Sequence, residues 1–255
     1  MLAIVPYILA FIALLALLVL VHEAGHFAMA KAARVKVLEF GLGFPPRLWS
    51  LRRGETLYSV NAIPLGGFVK MVGEEDPSEP GSLAGKSTGV RFLVMAAGPF
   101  MNALLALVLF SVLFMVPQDV VVGEVEVQQV APGSPAQLAG ILPGDRVVAV
   151  DGHPVSNHAD LQYRIGLRLG AEMTWLVQRG GQRLVVTLVP RPNPPEGQGA
   201  TGIQVATVNP RLERRATAPW VAMGKGLLRM GDVLVFAKNE FTKWFAGGTA
   251  PEVTG

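Results

Sequence analysis

The chain has 255 residues, 51% of them hydrophobic and 16% charged, with a net charge of +3 and no cysteine. Together with a mean hydropathy of +0.41, this leaves room for one or two domains and exceeds the apolar content of soluble domains, which fits membrane integration. The basic residues are spread along the loops rather than gathered into a stripe, which argues against a nucleic-acid partner, and without thiolates any metal site must use His, carboxylate and water.

An apolar segment opens the chain, from Leu2 to about Ala30, and residues 1–30 are predicted to form a transmembrane helix. Near its end stands His22-Glu23-Ala24-Gly25-His26, an H-E-x-x-H pattern. On a helix, residues four apart share a face with Cβ atoms about 5–6 Å apart, so both imidazoles reach one Zn2+. Glu23 points elsewhere and is the candidate general base, holding a water beside the metal. Ionisable groups in an apolar span are costly and point to function. Two plainer readings are weaker. A solvated soluble helix does not have flanks of Leu, Val and Phe, and a signal peptide ending near Ala28-Met29-Ala30 lacks a basic start and has too long an apolar run.

Residues 31–91 follow as a loop rich in Lys and Arg, beginning at Lys31, and by the positive-inside rule it lies on the cytoplasmic side. His22 and His26 would then sit about 8–14 Å inside that boundary at 1.5 Å per residue. Within the loop, Thr56 to Ile63 and Pro64 to Met71 are predicted as short strands around a bend allowed by Gly66 and Gly67, and their exposed edge can pair with an extended peptide. A purely structural hairpin fits the pattern equally. The acidic, Pro-containing run Glu74 to Gly81 is expected to be a flexible connection. Residues 92–116 form the second predicted span. Its one internal polar amide, Asn102, is a candidate to bond substrate or backbone, or to serve helix packing.

Residues 118–208 read as a compact, water-soluble α+β module of short strands and one main helix. Gly133-Ser134-Pro135-Ala136 opens a helical turn, Leu142-Pro143-Gly144-Asp145 makes a tight turn, and Ser156 or Asn157 caps a helix ending at Gly170. Met173, Trp175 and Val177 alternate, as do Leu184, Val186 and Leu188. His153 and His158 lack metal-ligand spacing and are expected on the surface. Residues 209–255 contain a stretch, Pro219 to Trp244, that suits an amphipathic interfacial helix or a helix docked on its own domain better than a third span.

The ordered set of His22-Glu23-Ala24-Gly25-His26, Pro64-Leu65-Gly66-Gly67-Phe68-Val69-Lys70-Met71, Ala97-Gly98-Pro99-Phe100-Met101-Asn102 and the two turns of the later module resembles the site-two protease family of intramembrane zinc metalloproteases, most closely its bacterial RseP-like branch. The resemblance implies a polytopic α-helical membrane protein with a reentrant β-loop and an inserted α+β PDZ-like domain. It also implies a multi-pass protein of the bacterial inner membrane, with the PDZ-like domain on the extracytoplasmic side. The implied activity is that of a zinc-dependent intramembrane endopeptidase cutting single-span membrane proteins such as anti-sigma factors. His22 and His26 would be zinc ligands, Glu23 the catalytic residue, and the loop at Gly66 and Gly67 a substrate-pairing strand. The third ligand, an aspartate in a later Leu-Asp-Gly span, is expected beyond Gly255, so the 255-residue chain alone is expected to be inactive. A non-catalytic membrane adaptor, binding extended peptides through the PDZ-like domain, is the alternative.

Overall fold

The computed structural model describes residues 4–245. Residues 1–3 of the expected first span and residues 246–255 of the expected C-terminal segment lie outside that range. The chain divides into two compact units, Met1–Leu109 and Phe110–Gly255.

In the first unit, α1 (Val5–Ala32) begins with a proline in its first turn, where a missing N–H costs nothing, and ends with Lys31 in its last turn. Beyond it come β1 (Val37–Arg53), β2 (Thr56–Met71) and α2 (Thr88–Met115), the last belonging to this unit through Leu109. Both helices have 28 residues and are long and apolar enough to cross a bilayer. Tyr7, Phe11 and Leu14 on α1 and Phe92, Met95 and Phe100 on α2 are left uncovered by protein. The two helices approach closely because Gly25 has no side chain: a Cβ there would lie 2.4 Å from the carbonyl oxygen of Ala97.

β1 is a strand that local pattern does not reveal, since Gly41, Gly43, Pro45 and Pro46 punctuate it like a loop. Its pairing is non-local. Leu42 stands opposite both Gly67 and Val60, and Phe40 opposite both Val69 and Tyr58, so the start of β1 is flanked by the two halves of β2. The two short strands expected at 56–63 and 64–71 are one element, β2, turning at Gly66 with φ +120°. Among the described residues, the segment Gly67–Met71 has a strand on one side only, the start of β1. Phe27 of α1 meets Phe40 and Tyr58 edge-on at 5.3 and 5.9 Å, which fastens the sheet to the helix. The run expected as a flexible connection is tied down. Glu74 accepts from the Met71 amide at 3.1 Å, Asp76 from the Ser78 amide at 2.8 Å, and Gly81 from the Lys36 amide at 3.0 Å.

The second unit contains β3 (Gln118–Val130), α3 (Pro135–Leu138), β4 (Arg146–Val150), β5 (His153–Pro154), α4 (His158–Leu167), β6 (Met173–Arg179), β7 (Gln182–Leu188), β8 (Ile203–Arg215) and α5 (Pro219–Phe245). The sheet order is β7-β6-β4-β3-β8, with β5 against β4, so β8 is an edge strand. The alternation of Met173, Trp175 and Val177 buries all three beside Val125, Val127, Val147, Val150 and Leu161. Ser134 caps α3 by accepting from the Gln137 amide, and Asn157 caps α4 by accepting from the Asp160 amide. His153 and His158 are both exposed.

Asp145, at the end of the Leu142-Pro143-Gly144-Asp145 turn, is fully buried. It accepts from Arg179 at 2.6 and 2.7 Å and from the Leu142 amide at 2.9 Å. Burial pushes its carboxyl up, but these bonds and the guanidinium charge outweigh it and hold the group below its ordinary range.

β8 runs past residue 208 to Arg215, pairing with β3 along its whole length from Val130↔Ile203 to Gln118↔Arg215. α5 follows and docks on α4 by one face. Tyr163 donates to Asp232, the Arg229 guanidinium lies 4.2 Å over the Tyr163 ring, and Asn239 donates to the Gly166 carbonyl at 2.9 Å. The opposite face exposes Leu227, Leu234 and Phe241. α5 therefore has both a docked face and an uncovered apolar one.

Candidate metal centre

The H-E-x-x-H pattern lies in the last third of α1, where helical spacing brings both imidazoles to the face that meets α2. The Nε2 atoms of His22 and His26 stand 3.1 Å apart. His26 is oriented from behind, its Nδ1 donating to the carbonyl oxygen of Val94 at 2.7 Å, which leaves the Nε2 lone pair free. His22 is contacted from behind by Asn102, whose Nδ2 stands 3.2 Å from the ring Nδ1. The amide oxygen of Asn102 is buried without a partner.

Gly98 forms the floor. A Cβ at this position would lie 2.3 Å from Nε2 of His26 and 2.7 Å from Nε2 of His22, so only a residue without a side chain leaves the convergence point open. Val94, Gly98 and Asn102 recur every four residues on α2 and present a carbonyl, a gap and an amide to the two histidines. Asn102, which the sequence leaves open as a contact to substrate, to backbone or between helices, stands behind His22, and Val94 and Gly98 join it on the same face. Their four-residue spacing was the signal available.

Glu23 is half-buried and lies against Gly67 of β2. With His26, Val69, Met71, Glu74 and Arg91 it lines a cavity of about 390 Å3. Gly67 lies against it: a Cβ on Gly67 would meet the Glu23 Cγ at 2.9 Å and the Val19 Cγ1 at 2.9 Å. Gly66 has a different task. Its positive φ makes the bend, and the Phe44 ring covers the place a side chain would take. Of the two glycines, Gly67 is the one beside the candidate base.

Two imidazoles with converging Nε2 atoms, one held by a backbone carbonyl and both facing a glycine, are a donor set suited to Zn2+. Among the described residues, no group of three His, Asp or Glu surrounds this or any other point. The pair with Glu23 therefore constitutes what the described chain contributes.

In the second unit, a cavity of about 360 Å3 opens between α4 and β8. Leu161, Ile165, Ile203 and Val205 line it, with Arg191 and Lys243 among its polar residues.

Comparison with known proteins gives consistent results. The chain is 41% identical over 192 residues to a Clostridium perfringens protein named as a candidate zinc metalloprotease, covering 75% of this chain and 56% of that one. A Clostridium acetobutylicum protein named likewise is 37% identical, covering 73% of this chain and 54% of its own length. A third such relative, from Rhizobium meliloti, is 32% identical over 96% of this chain and 71% of its own. The chain thus spans only about half the length of the two clostridial relatives. Among solved structures, the PDZ domain of an SdrC-like protein from Listeria monocytogenes matches 32% of this chain and 85% of that one at 18% identity, with a TM-score of 0.29 that assigns no fold. The model of peptidase family M50 matches residues 10–247, a stretch that takes in both histidines, the glycine floor and the β-rich unit; the chain belongs to peptidase family M50.

Proposed function

We propose that the protein is a zinc-dependent intramembrane endopeptidase that cleaves single-span membrane proteins, anti-sigma factors being the expected kind. The observation that carries this reading is the convergence of the His22 and His26 Nε2 atoms over Gly98, on two helices apolar enough to span a bilayer. When bound there, Zn2+ supplies Lewis acidity and a water acidified toward neutrality. His22 and His26 would hold it through Nε2. Glu23 takes the proton of the attacking water on its carboxylate and returns it to the leaving amide nitrogen. By resemblance to the site-two proteases, an aspartate from a later span of the whole protein completes the ligand set, so the 255-residue chain by itself is expected to bind Zn2+ weakly and to cleave nothing.

A substrate helix hides its carbonyls in its own hydrogen bonds and must unwind to be cut, and in lipid the freed groups need partners. The open side of Gly67–Met71 can supply them by strand addition, and Gly67, Val69 and Met71 adjoin Glu23. The basic loop at 31–91 supports a cytoplasmic position for this end of α1 in a bacterial inner membrane, with the β-rich unit extracytoplasmic. The groove between α4 and the edge strand β8 is suited to an extended peptide, so the β-rich unit selects or docks the substrate.

The test is a paired measurement on full-length protein: bound zinc, and cleavage of a single-span reporter protein. His22→Ala and His26→Ala are each expected to lose both. A protein that acts only as a peptide-binding adaptor would hold no zinc in its wild-type form and would bind the reporter without cutting it.

A further inference from the structure

We infer that the uncovered face of α5 lies in the surface layer of the bilayer that α2 spans, on the side where α2 ends, so that the β-rich unit rests on lipid through this helix. The inference rests on the reading of α2 as a membrane span given above. The last residues of α2, from Phe110 on, belong to the same compact unit as α5. The corner between them is tied. The Thr217 amide donates to the Phe114 carbonyl at 3.0 Å, and the Lys225 ammonium donates to the Thr217 hydroxyl at 3.2 Å while standing 5.9 Å from the Phe114 ring. Val112, Leu113, Met115 and Val116 beside Phe114 are uncovered apolar side chains. The first turns of α5 therefore stand level with the end of the span, where hydrocarbon gives way to headgroups.

From that corner onward α5 has two faces of different chemistry. One is committed to α4 through Asp232, Arg229 and Asn239, with Ala222 and Gly226 buried on it. On the other, Trp220, Leu227, Leu234 and Phe241 recur every seven residues in one line along the helix, each more than half exposed. Nothing among the described residues covers that line. Such a helix does not belong inside the bilayer, because its docked face is polar and held by α4, and among the described residues only α1 and α2 are apolar enough to cross. It does not belong wholly in water either, given a continuous row of large apolar side chains. The interfacial layer suits both faces at once. Trp220 and Trp244, exposed near the two ends and about 36 Å apart at 1.5 Å per residue, are of the type that favours headgroup level. Charge selects lipid over a second copy of the chain. Residues 211–245 carry seven basic side chains and three acidic ones. Two such segments face to face would set like charge against like, whereas a phospholipid surface supplies the anions.

The experiment uses full-length protein in vesicles of phosphatidylcholine and phosphatidylglycerol, with a nitroxide on one introduced cysteine per variant. The sites are Leu227→Cys and Leu234→Cys on the uncovered face, Gln182→Cys beside the exposed β6–β7 turn, and Leu104→Cys within α2. Oxygen concentrates in lipid and a nickel chelate stays in water, so spin relaxation by each reports the surroundings of the label. Labels at 227 and 234 are expected to be relaxed by oxygen and to lose most of the nickel relaxation found at 182. Nickel relaxation as strong as at 182 would place the face in water and overturn the inference. Shielding from both reagents would overturn it as well, with dipolar broadening between labels marking a second copy as the cover and its absence marking another part of the same protein. The label at 104 separates the two readings: protected from nickel, it leaves the span standing when the inference fails, and relaxed by nickel, it removes the span and the inference together. Two sites on the face keep the measurement decisive if one variant folds poorly.

Discussion

Gly98 lies so close beneath His26 that a Cβ on it would stand 2.3 Å from the imidazole Nε2. A methyl group there would occupy the point on which both ligands converge. Gly98→Ala is therefore expected to reduce zinc content at least about tenfold, since a site that cannot form its geometry loses affinity steeply. The helix itself should not suffer, because Ala is favoured over Gly in helices by about 1 kcal/mol. Zinc analysis beside helix content by circular dichroism checks this: loss of both together would show the glycine to be a packing residue only.

Glu23→Gln separates metal binding from proton transfer. The ligands remain and the carboxylate that accepts the proton goes, so zinc content should stay near wild type while cleavage falls by roughly 10²–10⁴, the usual contribution of a general base. Turnover of the single-span reporter at an undiminished rate would remove Glu23 from the chemistry.

Gly67→Ala tests how closely the β-loop and the base must approach. The added methyl meets Glu23, Val19 and the Gly41 carbonyl within 3.0 Å, so either the strand or the carboxylate is displaced. A misplacement of about 1 Å near reacting groups costs on the order of 100-fold in rate. Zinc content is expected to change little. Gly66→Ala at φ +120° strains the backbone and crowds Phe44, so it should lower stability as well as turnover. Equal kinetics for Gly67→Ala and wild type would argue that the loop does not approach substrate.

Asp145 gives the β-rich unit an acid-sensitive anchor. Its folded carboxyl titrates below its unfolded value, so folding is favoured wherever the unfolded group is ionised, above about pH 4. That stabilisation is lost as the pH falls from there through the lower folded value. Asp145→Asn should cost about 1–3 kcal/mol at neutral pH, because it leaves Arg179 and the Leu142 amide short of an acceptor. It should also flatten the dependence of stability on pH in the acid range. Urea unfolding at several pH values measures both, and parallel pH profiles for variant and wild type would show that another group carries the effect.

How much of this could be read in advance depends on whether the determining contact is local. His22, Glu23 and His26 are legible because a helix converts a spacing of four into a shared face, and Asn157 is legible because a cap acts on the amide three residues ahead. Met173, Trp175 and Val177 show their strand by alternation. β1 stayed hidden because its ladder partners come from both halves of β2, while its own Gly41, Gly43, Pro45 and Pro46 read as loop. The role of Gly98 could not be seen from α2 alone, since the imidazoles it makes room for are on another helix. α5 was ambiguous for a related reason: Arg229 and Asp232 look like a solvated stripe until Tyr163 supplies their partner.

The paired strands β3 and β8 bring the first and last residues of the β-rich unit side by side, Gln118 opposite Arg215, and the Thr217 amide then donates back to the Phe114 carbonyl at 3.0 Å. Chain entry and chain exit are thus a single doorway at the end of α2. A segment attached in this way can be enlarged or exchanged without changing the distance the flanking chain must bridge, while its α4 keeps the surface on which α5 docks. The place to cut is dictated by the ladder. Excision of 118–215 takes out both uprights together, whereas stopping at 208 would strand the last residues of β8 as an unpaired edge, open to association with other chains.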